Sequence, residues 1–109
     1  MLPLIKRGSL KHYMMAKYKM QLYIAGETTV SLKAIEIINS ICHDHLNGDC
    51  KIDVIDIMKD PEIAETEGIL AIPTLIRKFP LPEIRLIGAL SFRSRILTGL
   101  GIDLDEEIN

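Results

Sequence analysis

The chain has 109 residues, 48% of them of apolar type, so it can bury a modest core and is expected to form one domain. Its 15 acidic and 13 basic residues nearly balance, which gives no excess positive charge that would indicate a nucleic-acid partner. No apolar run approaches the roughly 20 residues that a membrane-spanning helix needs, and the short apolar start is not a signal-peptide core. We therefore expect a cytoplasmic protein with neither nucleic acid nor membrane as a partner.

The first residues are expected to form an arm that is separate from the domain. Met14 and Met15 stand just before the first regular apolar pattern, so either one could be the true start. We predict an N-terminal arm over residues 1–16, disordered or outside the native protein, and a folded domain over residues 17–109.

The first predicted unit is a strand followed by a helix. Residues 19–25 (KMQLYIA) alternate between apolar and polar, as in a half-buried strand. A helix should follow, capped by Thr28 or Thr29, because a hydroxyl there accepts a hydrogen bond from an otherwise unpaired amide. Apolar residues at three- and four-residue steps continue this helix to about Leu46, and the Asn-Gly pair at 47–48 predicts its end.

The second predicted unit is another strand and a short helix. Residues 52–58 (IDVIDIM) form a β-branched run that is long for its polarity, which predicts that helices cover both faces of the sheet there. Asp60 should cap the next helix, and Pro61 should take its first position, where a missing amide hydrogen costs nothing. This helix is expected to end near Gly68.

A hairpin and a last helix complete the predicted domain. Strands are expected at residues 74–78 and 83–87, separated by a Phe-Pro-Leu-Pro segment that forbids continuous regular structure. Ser91 is expected to cap a last helix that runs to Leu97 or Leu100.

The resulting order, β-α-β-α-β-β-α, is an α/β arrangement with the thioredoxin-like topology. In that fold a proline precedes the third strand, usually with a cis peptide bond, and Pro73 occupies this position. A cis bond before proline costs only about 0.5–1 kcal/mol. We predict a cis bond at Pro73, with an ordinary trans turn as the alternative.

The redox chemistry most common in this fold is not expected. It needs Cys-x-x-Cys at the start of the first helix, where the helix dipole lowers a thiol pKa, but residues 26–31 are GETTVS. Cys42 falls near the end of the predicted helix, where the dipole disfavours a thiolate. In the cytoplasm Cys42 and Cys50 should stay reduced. The sequence therefore favours a binding module over an enzyme.

The Cys-His-Asp-His run at 42–45 is a weak candidate for a metal site. Successive helical residues point about 100° apart, so Cys42, His43 and His45 cannot converge on one ion while helical. Cys42 and Cys50 also lack the close spacing of a zinc knuckle. We expect a buried Cys42, a solvated His43, and no metal.

Two enzyme motifs are incomplete or missing. Ser40, His43 and Asp44 all lie on one predicted helix without support from a strand, so they do not predict a catalytic triad. The chain also lacks a Gly-x-x-x-x-Gly-Lys loop for nucleotide phosphates. No catalytic residue and no cofactor are expected.

The stretch at residues 90–104 fits two periodicities. Its apolar residues form a stripe at helical spacing and an uninterrupted face at strand spacing. Gly99 and Gly101 each weaken a helix by roughly 1 kcal/mol relative to alanine, while Thr98 and Ile102 favour a strand. Such near-degeneracy is what a fold-switching protein needs, and the alternative is a short helix followed by an extended tail.

Several ordered blocks of the sequence resemble the KaiB family of clock-associated proteins over about residues 17–102. The blocks are LYIAGETTVSLKAI, KIDVIDIMKDPEIAE, ILAIPTL and PLPEIRLIGALS. The resemblance implies a monomeric thioredoxin-like form and a homotetrameric form with the order β-α-β-β-α-α-β. It also implies a non-enzymatic regulator that binds a KaiC-type ATPase or another signalling partner, in clock-like timing or stress adaptation.

The resemblance also implies which positions act. For partner contact it implies the second-helix region, namely Lys59, Asp60, Pro61, Ala64 and Glu65. For the switch between folds it implies three prolines and the switch junction, namely Pro73, Pro80, Pro82, Gly88, Ala89 and Ser91.

Two departures from the family pattern change charges. Ala89 replaces an acidic residue after the switch glycine, and Glu83-Ile84-Arg85 retains one of two arginines. Changed charges at a docking face can exclude one partner and admit another. Two alternatives therefore stay open: a homo-oligomeric stress protein, dimer or tetramer, without KaiC binding, and a redox thioredoxin relative.

Overall fold

The computed structural model describes residues 16–88 and 93–102, which contain four strands and three helices. Their bounds are β1 Tyr18–Ile24, α1 Thr29–His45, β2 Cys50–Asp56, α2 Pro61–Glu67, β3 Thr74–Phe79, β4 Ile84–Ile87 and α3 Arg93–Gly99. The predicted order of elements is confirmed. The bounds shift by small amounts, most clearly at β2, which begins at Cys50 and not at Ile52.

The four strands form one mixed sheet in the order β2-β1-β3-β4. β1 and β2 are parallel, with Tyr18 opposite Cys50 and Ile24 opposite Asp56. β3 is antiparallel to both β1 and β4. The α/β thioredoxin-like topology predicted from the sequence is therefore confirmed.

The core lies between this sheet and helices α1 and α3. Alternate residues of β1 project into it, and they are almost completely buried: Met20, Leu22 and Ile24. The predicted apolar stripe of α1 packs against them, and α3 adds Ile96, Leu97 and Leu100 from its body and end. Burying one such side chain fully is worth about 1.5–3 kcal/mol, so this face holds α3 on the sheet.

Thr28 caps α1, as one of the two predicted candidates. Its Oγ1 atom accepts a hydrogen bond from the Ser31 amide at 3.1 Å. At the other end Asn47 and Gly48 have φ values of 56° and 71°. These left-handed conformations, which Asn and Gly adopt most easily, end the helix and turn the chain toward β2.

The expectation that helices cover both faces at β2 is wrong. β2 is an edge strand that pairs with β1 on one side, and the Val54 side chain is 44% exposed. Its β-branched run reflects the preference of such residues for a pleated strand and not complete burial.

The start of α2 differs from the prediction in one contact. Asp60 stands at the N-cap position and Pro61 at the first helical position, but the Asp60 side chain makes no capping hydrogen bond. Gly68 ends the helix as predicted, with a left-handed φ of 68°.

The two cysteines are joined, so the expectation of reduced thiols is wrong for this structure. A disulfide links Cys42, on the last turn of α1, to Cys50, the first residue of β2, with their Cα atoms 6.2 Å apart. The turn at Asn47 and Gly48 brings the helix end back beside the strand start, and sequence spacing alone did not predict this proximity. Both cysteines are buried, and His43 is exposed as expected.

Candidate docking surface

The residues predicted for partner contact lie in the turn between β2 and α2 and on α2 itself. The backbone amides of Lys59 and Asp60 donate to the Asp56 carbonyl oxygen at 3.0 and 3.1 Å, which fixes the turn before α2. Lys59, Asp60, Pro61 and Glu65 are exposed, whereas Ala64 is buried. Four of the five side chains can therefore meet a partner directly, and Ala64 supports the helix from below.

Asp56 organises this surface, and it was not among the residues predicted for partner contact. Its Oδ1 atom accepts hydrogen bonds from the Gly26 and Met58 amides, both at 2.9 Å. These bonds favour the charged form and lower the pKa of the Asp56 carboxyl below its usual value. The carboxylate joins the end of β1 to the turn before α2, and its position at the carboxyl end of β2 was the available signal.

The structure brings two of the predicted switch residues, Pro73 and Gly88, into contact. The Ile72-Pro73 bond is cis, as predicted, and so are the bonds before Pro80 and Pro82. The Gly88 amide donates to the Pro73 carbonyl oxygen at 3.1 Å, so these two residues meet where β3 begins and β4 ends. Ala89 and Ser91 lie outside the described residues. A role for any of these positions in a fold switch stays a prediction.

Arg77 connects the proline segment to the end of α3, and sequence reasoning missed it. The residue is buried, and its Nη1 atom donates to the Leu100 carbonyl oxygen at 2.7 Å while Nη2 donates to the Pro82 carbonyl oxygen at 3.1 Å. Its Nε atom is buried without a hydrogen-bond partner. A single arginine within an apolar strand was a signal that could have been used.

A charge network occupies the other face of the hairpin, where the family pattern is altered. Lys78 Nζ contacts the carboxylates of Glu67 at 3.0 Å and Glu83 at 3.2 Å. Arg85 approaches the same two carboxylates at 3.9 and 3.6 Å. The hydrogen bond that Lys78 donates to Glu67 raises the pKa of Lys78, and the one that it donates to Glu83 lowers the pKa of Glu83. The one retained arginine is thus engaged within the chain.

Ser40, His43 and Asp44 do come together, but not as a catalytic triad. His43 Nδ1 lies 2.9 Å from Asp44 Oδ1, and Ser40 Oγ donates to Asp44 Oδ2 at 3.4 Å. The Arg93 guanidinium contacts both Ser40 and Asp44. Asp44 lies between the other two, so His43 is not placed to take a proton from Ser40. The cluster ties α3 to α1.

Within residues 16–88 and 93–102 no three His, Cys, Asp or Glu side chains are grouped closely enough to hold a metal ion. None of the helices there combines the length and the apolar character needed to cross a bilayer.

Together the sheet order, the cis proline before β3 and the thiol-free start of α1 define a thioredoxin-like protein that lacks the dithiol at the fold's redox position. The KaiB domain model matches residues 21–102. The chain belongs to the KaiB family.

The sequence of a relative agrees with this assignment, and solved structures agree with the fold. The chain is 43% identical over 91 residues to the circadian clock oscillator protein KaiB of Thermostichus vulcanus, covering 84% of this chain and 83% of that protein. It resembles the N-terminal domain of Synechococcus elongatus SasA with a TM-score of 0.63 and 17% identity, covering 76% and 78% of the two chains. Mitochondrial thioredoxin 3 of Saccharomyces cerevisiae gives a TM-score of 0.62 at 14% identity, covering 84% and 86%. The two solved structures support the fold alone.

Proposed function

We propose that this chain is a non-enzymatic, clock-related regulator that docks on a KaiC-type ATPase through the surface around α2. Membership of the KaiB family over residues 21–102 is the observation that carries the proposal. The exposure of Lys59, Asp60, Pro61 and Glu65 on one continuous turn and helix supports the location.

The start of α1 supports a binding role without redox catalysis. A thioredoxin-type enzyme needs a thiolate at this position, and here Thr28 uses its hydroxyl to cap the helix. Cys42 and Cys50 are buried at the opposite end of the same helix. An insulin-reduction assay is therefore expected to show no turnover, and turnover that disappears in a Cys42→Ser variant would contradict the proposal.

A tagged form of the full chain tests ATPase docking directly. In a lysate of the source organism the wild-type chain should enrich a KaiC-type ATPase, identified by mass spectrometry. The double variant Lys59→Glu/Glu65→Lys keeps the net charge but reverses the charge pattern across the turn and α2, and it should reduce recovery by about tenfold. The matched control Lys33→Glu/Glu36→Lys swaps an exposed ion pair of α1 and should leave recovery unchanged. No enrichment by the wild type would overturn the proposal.

One observation favours a second candidate, a homo-oligomeric stress protein that does not bind KaiC. Arg85, the arginine that remains from the family's pair, contacts Glu83 and Glu67 of the same chain. A guanidinium engaged in this way is less available to a partner. Light scattering after size exclusion would report a dimer or tetramer, and this candidate further requires that the tagged chain recovers no ATPase.

A further inference from the structure

A groove runs between the start of α1, the carboxyl end of β2 and the start of α2. Its volume is about 430 Å³, and its floor is apolar. Leu32 of α1 and Val54 of β2 both line it and are 54% and 44% exposed, although both are large apolar side chains. Ile63 of α2 is a third exposed apolar residue in the lining. Three exposed apolar side chains that line one groove make it a candidate binding site.

The rim of the groove carries mostly negative charge. Glu27, Asp56 and Asp60 contribute three carboxylates, and Lys59 contributes one ammonium group. An excess of two negative charges around an apolar floor favours a ligand that is both apolar and cationic. A purely apolar ligand would leave these carboxylates partly desolvated and unpaired, which is costly.

Asp56 gives this rim one carboxylate that is held in place before anything binds. Both of its backbone hydrogen bonds, from Gly26 and Met58, go to Oδ1. Among the described residues no hydrogen-bond donor is placed on Oδ2, which can therefore accept a bond from a ligand. A carboxylate with fixed orientation loses less entropy on pairing with a guanidinium or ammonium group than a free surface side chain does.

We propose that the groove binds a segment of a partner protein that presents an apolar side chain beside a lysine or arginine. The apolar side chain lies on the floor between Leu32 and Val54, and the cationic group pairs with Asp56 and Asp60. This inference rests on the proposed function for the identity of the partner, because Lys59 and Asp60 belong both to the groove and to the docking surface. It adds the chemistry of the segment that is recognised.

Three short peptides and isotope-labelled full-length protein test the proposal without any ATPase. The probe is a blocked hexapeptide with two central leucines flanked by arginines. One comparison peptide has glutamates in place of the arginines, and the other has serines in place of the leucines. Amide chemical shifts of the labelled protein report where each peptide binds and how tightly.

The leucine-arginine peptide should shift the amides of Leu32 and Val54 in a saturable manner. Both comparison peptides should bind about tenfold more weakly. Asp60→Lys should weaken binding of the leucine-arginine peptide by a similar factor. Leu32→Ser should also weaken its binding, because it removes an apolar side chain from the floor of the groove. Both changes are at exposed positions, and the labelled spectra show whether each variant is folded. The control Asp49→Lys, at the opposite end of β2, should have no effect.

The proposal is overturned if the leucine-arginine peptide gives no saturable shift, if its shifts lie away from the groove, or if all three peptides bind equally. These outcomes are distinct from failure of the proposed function. Normal peptide binding without ATPase recovery would overturn the ATPase partner and keep the groove. ATPase recovery without peptide binding would overturn the groove and keep the partner.

Discussion

The guanidinium of Arg77 donates a hydrogen bond of 2.7 Å to the carbonyl oxygen of Leu100, just beyond the end of α3. A second bond, to Pro82 at 3.1 Å, extends this link to the segment between β3 and β4. Arg77 therefore connects β3 with two other parts of the second half of the chain, the segment between β3 and β4 and the end of α3. A helix end also carries partial negative charge, so a buried cation there is well placed.

Replacing Arg77 with methionine should destabilise the fold by about 1–3 kcal/mol, because two acceptors in and near the core lose their donors. The stability of Arg77→Lys should lie between that of Arg77→Met and that of the wild type, because a lysine cannot donate from two nitrogens at once as the guanidinium does. Guanidinium unfolding at fixed protein concentration measures the change. Arg85→Met is the control and should cost at most about 1 kcal/mol, because its ion-pair contacts are long, at 3.9 and 3.6 Å, and partly exposed to solvent. Equal effects at the two positions would contradict the role given to Arg77.

The neighbouring threonines at the start of α1 offer a matched pair of substitutions. Thr28→Ala should lower the free energy of unfolding by about 1 kcal/mol, because the Ser31 amide loses its acceptor. Thr29→Ala should change it by less than about 0.5 kcal/mol, since Thr29 is an exposed residue within the helix. Thermal and urea melts of both variants measure the difference, and a larger effect at Thr29 would show that the cap is misassigned.

Asp56 should make the fold sensitive to acid. Because its pKa is lowered in the folded chain, the carboxylate stabilises the fold at pH values above the unfolded value of about 3.9, and that contribution is lost as the pH falls through the lowered pKa. Asp56→Asn keeps an acceptor but removes the charge. The variant should be less stable than the wild type near neutral pH, and the two should converge in acid.

Urea melts across the acid range measure this convergence. Asp53→Asn is a suitable control on the same strand, because Asp53 is exposed and contacts Lys51 at 3.6 Å. A gap between wild type and Asp56→Asn that stays constant down to the most acidic pH would be inconsistent with the hydrogen bonds from Gly26 and Met58.

The disulfide between Cys42 and Cys50 predicts a simple labelling result. Protein that is unfolded in guanidinium without a reductant should take up no maleimide, and the same protein unfolded with a reductant should take up two. Intact mass measures the number of adducts. Unfolding is needed because both cysteines are buried and would be protected even as thiols. Two adducts without the reductant would restore the original expectation of reduced thiols.

Features that depend on a few adjacent residues were predicted well from the sequence. The Thr28 cap, the turn at residues 47–48 and the end of α2 at Gly68 each follow from the local conformational preferences of one or two residues. The cis bond at Pro73 followed from the topology once the strand order was recognised. Local signals and element order therefore sufficed for the architecture.

Features that depend on distant contacts were missed. The contact from Arg77 to Leu100 spans 23 positions along the chain, and the contact from Asp56 to Gly26 spans 30. The exposed position of β2 at the sheet edge could not be predicted from its β-branched composition, because such residues favour central and edge strands alike. Within the candidate site, the exposed positions near α2 were predicted from the family resemblance. The groove beside them was not predicted, because it depends on how α1 packs beside β2.

The strand order has a mechanical consequence. In the sheet of the described residues, β1 joins the first β-α-β unit to the later hairpin through a single antiparallel boundary with β3. If that boundary opens, β1 and β2 remain paired with each other, while the β3–β4 hairpin loses the strand with which it pairs. In that sheet the strand pairing between the two halves therefore runs along one line, from Tyr23 and Thr74 at one end to Lys19 and Phe79 at the other. Any refolding of the second half that spares the first would have to separate these two strands, and it would also have to release α3 from α1.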